Sequence, residues 1–199
     1  MMSNIHRTAV VSGDVTIGEG TTIGAFCYLQ GPLLIGKNNR INPHCIIGTE
    51  PESRDAAPKG RVIIGDNNVL SELTVIQRGT GDRETTIGNN NFLMDSSHIG
   101  HDCLLQNDIT IAPNVVLAGH VVIQSGATVG IGAAIHQFST IGGYSMIGMN
   151  SAITRDVPPF SLVVGNPAEF IMYNSHQLKK LGIQKLGRGS PLHQNKNRV

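Results

Sequence analysis

Four of the chain's eight histidines, His98, His101, His120 and His136, fall within 39 residues, and Asp102 directly follows one of them. A neutral imidazole is the usual group for taking a proton from a hydroxyl near pH 7, and an adjacent carboxylate orients the ring and raises its basicity. His101 with Asp102 is therefore a candidate general base. The same residue types admit a second chemistry, because three neutral imidazoles can bind zinc and leave a fourth position for water. There is no GKS or GKT phosphate loop, no GxSxG elbow and no serine in a nucleophile context, so covalent catalysis is not indicated.

The elements that position these groups follow from a six-residue beat. Aliphatic residues stand at every sixth position from Val11 to Ile47, again at Ile64, Leu70 and Ile76, and then twelve times in a row from Ile87 to Ile153. Such a beat is neither helical nor a simple alternation. It is the signature of an all-β fold, a parallel β-helix of hexapeptide repeats in which each hexapeptide supplies one short strand and one turn. Three faces close one coil of 18 residues, so residues 18 apart stack at about 4.8 Å. Gly100, Ala118 and His136 then share one column, His101, Gly119 and Gln137 the next, and Asp102, His120 and Phe138 a third. The imidazoles and the carboxylate fall on neighbouring rungs of one edge, within about 10 Å. A zinc site of this kind resembles the γ-class carbonic anhydrases, on the same repeat. Glutamine and carboxylate neighbours better suit an organic acceptor with hydroxyls, so the expectation is no metal.

The beat breaks twice, which places loops at about residues 49–61 and 77–85. DVPPF, Asp156 to Phe160, removes backbone donors and is expected to end a β-helix spanning 1–160. The stretch AEFIMYNSHQLKKLGIQKL reads as one or two short helices within an appendage at 161–186, and the polar residues 187–199 read as a disordered tail.

Composition narrows the function classes. Fifteen Lys and Arg against 14 Asp and Glu give a net charge of +1, no footprint for nucleic acid. No apolar run is long enough to span a membrane, and MMSNIHRTAV lacks a signal-peptide centre, so a cytoplasmic protein without membrane insertion is expected. Cys27, Cys45 and Cys103 are too few and scattered for a disulfide framework and read as buried free thiols. After Glu169 the chain has six basic residues, including Lys179 and Lys180, and no acidic one, a block that attracts an acidic partner.

The set HIGHDC (His98 to Cys103), LAGHV (Leu117 to Val121), HQF (His136 to Phe138) and DVPPF resembles the UDP-N-acetylglucosamine O-acyltransferases that begin lipid A synthesis, over roughly residues 8 to 186. That resemblance implies a left-handed β-helix and transfer of a 3-hydroxyacyl group from an acyl carrier protein thioester to the 3-hydroxyl of the nucleotide sugar. His101 matches the general base, Asp102 the residue that orients it, and the backbone amide of Gly119 the donor to the thioester oxyanion. His98, His120 and Gln137 match substrate-positioning residues, with His136 in the same cluster, and Asn174 matches a contact to the pantetheine arm. Met149 falls at the position that measures acyl length, where long-chain members have Gly. The donor carries its own phosphopantetheine, so no cofactor is expected. The resemblance also implies a homotrimer, which would convert an exposed histidine edge into clefts between prisms.

The sequence departs from the family pattern in three places. ESRDAAPKG stands where the family has a DLKY-like stretch that holds the nucleotide sugar, with Asp55 and Lys59 as possible substitutes. LKKLG replaces paired arginines, and the chain stops short of the usual helical C-terminal domain. A paralogue acting on another nucleotide sugar, and a non-catalytic or metal-binding β-helix, remain as alternatives.

Overall fold

The computed structural model describes residues 3–54, 57 and 59–183. Strands of two to four residues follow one another around a three-sided prism, and each pairs in parallel with the strand one coil below and one coil above. The first face starts at Asn4–Ile5 and the third at Val15–Ile17. The second face contains Tyr28–Gln30, Ile46–Thr49, Val75–Gln77, His98–Ile99, Val116–Leu117 and Ala134–Ile135.

The six-residue beat is the inward row. Within each strand side chains alternate in direction, and the aliphatic member points in: Ile99, Leu105, Ile111, Leu117 and Ile123 are fully buried. Polar groups inside the prism form a ladder of their own. The Asn39 N–H donates to Thr21 Oγ1, the Asn68 N–H to Asn39 Oδ1, the Asn91 N–H to Asn68 Oδ1 and the Ile109 N–H to Asn91 Oδ1, at 2.8 to 3.0 Å. Each buried corner amide in that column is thereby satisfied. All three cysteines are buried free thiols, and burial pushes Cys103 up to about 12.

Stacking intervals locate the two loops. Tyr28 pairs with Ile46, Ile46 with Val75, Val75 with His98 and His98 with Val116, so the interval runs 18, 29, 23 and 18. Both insertions leave the prism at the corner between the second and third faces, as residues 50–60 and 78–83.

The C-terminal part differs from the expected helical appendage. The prism does not stop at DVPPF: Ser161–Gly165 adds a further parallel strand to the first face beside Met146–Ile147. Ala168–Tyr173, expected to be helical, is a strand that turns back antiparallel on Ser161–Gly165. Valines, Ile171 and aromatic residues fit a pleated surface, and an available sheet edge outweighs the weak helical spacing of Phe170 and Ile171. Among the described residues only Ser175–Lys180 is helical, with the side chain of Asn174 capping its first turn. Residues 184–186 and the expected tail at 187–199 lie outside the described residues.

Candidate active site

The corner between the second and third faces carries the chemistry-bearing residues, and both loops issue from its lower rungs. Its turns require one residue each in the left-handed region, and these are Asp102, His120 and Phe138, with φ of 60°, 62° and 66°. Asn and Gly tolerate that region best. Turns elsewhere on the prism place Phe26, Leu73, Tyr144 and Phe160 in the same region, so the strain belongs to the coil and these three residues share it.

His101 and Asp102 form a hydrogen-bonded pair, Nδ1 to Oδ2, at 2.7 Å. The carboxylate is held from below: the Thr80 N–H donates to Oδ1 at 2.9 Å and the Thr80 hydroxyl to Oδ2 at 2.8 Å. The backbone N–H of Asp102 donates to Thr85 Oγ1 at 2.9 Å. The Asp102 side chain is 3% exposed and that of His101 15%, so the base reaches solvent and its orienting carboxylate does not. Burial works against charge on Asp102, but the hydrogen bonds from the Thr80 N–H, His101 and the Thr80 hydroxyl, with the charge of His120, outweigh it and hold the carboxyl below its ordinary range. An ionised carboxylate only accepts, which assigns the shared proton to Nδ1 and leaves the lone pair on His101 Nε2.

Gly119 lies one coil above, over that ring. A Cβ at Gly119 would collide with Cε1 and lie 2.7 Å from Nε2, so only glycine leaves the imidazole its place. His120 stacks on Phe138 with ring centroids 4.5 Å apart and presents its edge to His101 at 5.2 Å. Its Nε2 lies 3.4 Å from Asp102 Oδ2. Burial lowers its titration below the ordinary imidazole value, with His101 and Arg83 adding to the effect and Asp102 opposing it. A neutral His120 is thus available as a hydrogen-bonding group.

The ligand atoms of His101, Asp102 and His120 lie within 4.8 Å of one another, a spacing that would also suit a metal ion. His98 and His136 are not part of that group. The Asp102 oxygens are already committed to Thr80 and His101, an arrangement suited to orienting a base.

The remaining expected residues are dispersed. His98 faces outward from the second face, between Val75 and Val116 on the neighbouring strands. His136 and Gln137 are exposed on the rung above Gly119, with His136 Nδ1 3.1 Å from the Gln137 carbonyl oxygen. Met149 sits on the corner between the first and second faces and is 69% exposed, so it is not packed between coils. The Asn174 side chain donates to the Tyr144 carbonyl at 3.0 Å and accepts from the Gln177 N–H at 3.3 Å, which ties one end of its amide to a turn of the prism and the other to the C-terminal helix. Lys179 and Lys180 are exposed in the last turn of that helix. Among the described residues, no hydrogen bond, ion pair or ring contact within one chain joins Met149, Asn174, Lys179 or Lys180 to the His101 pair. Sequence reasoning missed Thr80 and Thr85. Counting down 23 residues from Asp102, the interval imposed by the second loop, arrives beside Thr80.

Comparison with known proteins bears on this geometry. The bacterial transferase hexapeptide family (six repeats) matches residues 84–119. An acyl-[acyl-carrier-protein]–UDP-N-acetylglucosamine O-acyltransferase of Saccharophagus degradans is 47% identical, over 92% of this chain and 80% of the relative. The enzyme of the same description from Aliarcobacter butzleri is 38% identical over 84% of this chain and 72% of its own. Among solved structures, the UDP-N-acetylglucosamine acyltransferase of Campylobacter jejuni superposes with a TM-score of 0.80 at 34% identity, covering 89% of this chain and 75% of that one. The prism is the left-handed parallel β-helix that these proteins share. With 47% identity along nine-tenths of its length to such an enzyme, the chain belongs to the acyl-[acyl-carrier-protein]–UDP-N-acetylglucosamine O-acyltransferase family.

Proposed function

We propose that the protein transfers a 3-hydroxyacyl group from acyl carrier protein to the 3-hydroxyl of UDP-N-acetylglucosamine, the first step of lipid A synthesis. The observation that carries this reading is the His101–Asp102 pair, its ring held beneath Gly119. His101 Nε2 takes the proton of the sugar hydroxyl as its oxygen attacks the thioester carbonyl. The oxyanion accepts a hydrogen bond from the Gly119 amide, a kind of contact that typically contributes a few kcal/mol to the transition state. Collapse breaks the C–S bond, and the proton on His101 passes to the departing pantetheine sulfur. Asp102 stabilises the imidazolium between the two transfers. His98, His120, His136 and Gln137 line the approach of the acceptor. The chain supplies this chemistry without a metal or a cofactor other than the phosphopantetheine of the donor.

The reading includes a cytoplasmic homotrimer with sites between prisms. Val10, Ile46 and Val116 expose apolar side chains on the second face at 53%, 39% and 47%. Asn174, Lys179 and Lys180 stand apart from the histidines of their own chain, and a neighbouring prism would bring a second set alongside. A monomeric mass by light scattering at micromolar concentration would overturn the trimer.

A second acceptor is favoured by one observation. Glu50, at the root of the first loop, is paired with Arg78 at 3.2 Å, and Ser53 and Arg54 stand in a loop that lacks the family's DLKY-like stretch. Purified protein with 3-hydroxyacyl carrier protein and a panel of nucleotide sugars separates the readings. Turnover confined to UDP-N-acetylglucosamine and lost in His101→Ala by about 100- to 10,000-fold is the expected result. Turnover of a different nucleotide sugar alone would move the protein to the second reading.

A further inference from the structure

Among the described residues, Thr80 is the one outside the histidine edge that bonds to the Asp102 carboxylate on both oxygens. It belongs to the second loop, one coil below the pair, and the loop is fastened on each side of it. The Arg83 N–H donates to the Thr80 carbonyl at 2.9 Å, and the Gly81 N–H donates to the Ala57 carbonyl of the first loop at 2.8 Å. At Gly79 a side chain would strike the Arg83 carbonyl, so the tight turn that lifts Thr80 toward the rung above depends on that glycine.

A carboxylate can turn about its last bond and exchange its oxygens. Here Oδ1 is fixed by a backbone N–H, and Oδ2 receives the Thr80 hydroxyl together with the His101 ring. The backbone contact alone would leave Oδ2 with the His101 ring and, farther off, His120 Nε2 at 3.4 Å. The hydroxyl fills a further lone pair of that oxygen and sets the plane in which the carboxylate meets Nδ1.

We propose that Thr80 is a positioning residue for the acyl transfer, its hydroxyl and backbone N–H together fixing the carboxylate plane of Asp102 and, through it, the tautomer and direction of the His101 ring. The inference rests on the catalytic reading above. Thr80 touches no substrate in it, so its effect falls on the chemical step and not on the binding of either substrate. Because the second loop is tied to the first, the same contact links the segment nearest the acceptor to the base.

The test compares wild type, Thr80→Val and Thr80→Ser as full chains. Hydrogen bonds to charged groups of this kind are each worth roughly 10- to 100-fold, so kcat for Thr80→Val is expected to fall by about that factor with both KM values near wild type. The pH profile of kcat should change with it, since the carboxylate that steadies the imidazolium loses one of its donors. Thr80→Ser should restore most of kcat and the wild-type profile. Nitrogen-15 NMR of labelled histidine reads the tautomer directly: His101 should be protonated at Nδ1 in wild type and Thr80→Ser, and mixed in Thr80→Val. A wild-type kcat and pH profile in Thr80→Val would overturn the proposal, as would a change confined to KM, or a Thr80→Ser as impaired as Thr80→Val. If wild type transferred no acyl group, the catalytic reading would fail, and an unchanged tautomer in Thr80→Val would then reject the role of Thr80 separately.

Discussion

Gly119 supports the ring of His101 from the coil above, and a Cβ there would lie 2.7 Å from Nε2. The pair to which the proposed function assigns the chemistry therefore depends on a hydrogen atom where every other residue type has carbon. Gly119→Ala should leave the prism folded, because the colliding group is the end of a side chain that can rotate away. The ring would leave its bond to Asp102, and transfer should fall by about 100-fold or more. Turnover measured alongside the melting temperature checks this; a variant that kept wild-type turnover would show that the ring does not need this seat.

Acid should weaken the fold in two stages. His120 titrates below its ordinary value in the folded chain, so the unfolded chain gains its proton first, and stability is lost as the pH falls from about 6.5. Asp102 is also held low; its contribution is complete above about pH 4 and disappears as the pH falls through the lower folded value. The melting temperature of wild type should decline from pH 7 to 5 more steeply than that of His120→Gln. Identical slopes would mean that His120 is not the group that senses the proton.

The internal ladder makes a stability prediction. Asn68→Ala removes the acceptor of the Asn91 N–H and the donor to the Gly88 carbonyl, leaving buried groups unpaired at about 1 to 3 kcal/mol each. Urea denaturation should show a loss in that range or above. A loss under about 0.5 kcal/mol would place the ladder among contacts of no consequence.

Met149 stands out from its corner, where a bound chain could end against it. Donors of stepped acyl length should show a short-chain optimum in wild type and a longer one in Met149→Gly, since forcing a chain end against the thioether costs about 1 to 3 kcal/mol. An unchanged optimum would remove Met149 from this role.

Lys179 and Lys180 are exposed in the last turn of the helix, without an acidic residue in its first turn. Replacing both by Ala should weaken binding of acyl carrier protein by about ten-fold at low ionic strength and much less at high salt. Titration calorimetry at two salt concentrations is the measurement, and binding indifferent to salt would argue for another donor.

The prism was legible because Ile99, Leu105, Ile111 and Leu117 mark their faces by spacing alone, and counting by 18 set His101 beside Gly119 and Asp102 beneath His120. Thr80 was not legible, because the second loop changes the count to 23 just where it would have met Asp102. The hairpin was hidden for a different reason. Phe170 and Ile171 suit a strand as well as a helix, and the edge that decides between them, Ser161–Gly165, comes after two prolines that read as the end of the coil. Local pattern fixes a face; it does not announce which edge remains open.

Coiling also gives the chain a phase. Eighteen residues are one revolution and six are a third of one, so any change in length within a face rotates everything above it relative to everything below. Removing six residues between Val121 and Ile135 would swing His136 and Gln137 about 120° away from His101 while leaving every strand well paired. Removing a whole coil of 18 from elsewhere in the prism would preserve the angle and lower the upper coils by one rung, about 4.8 Å. The two loops escape this constraint because they leave and re-enter at one corner, adding length without angle. Length can therefore vary beside the catalytic pair, where a new acceptor would be recognised, while the number of residues separating His101 from His136 is held by the geometry of rotation.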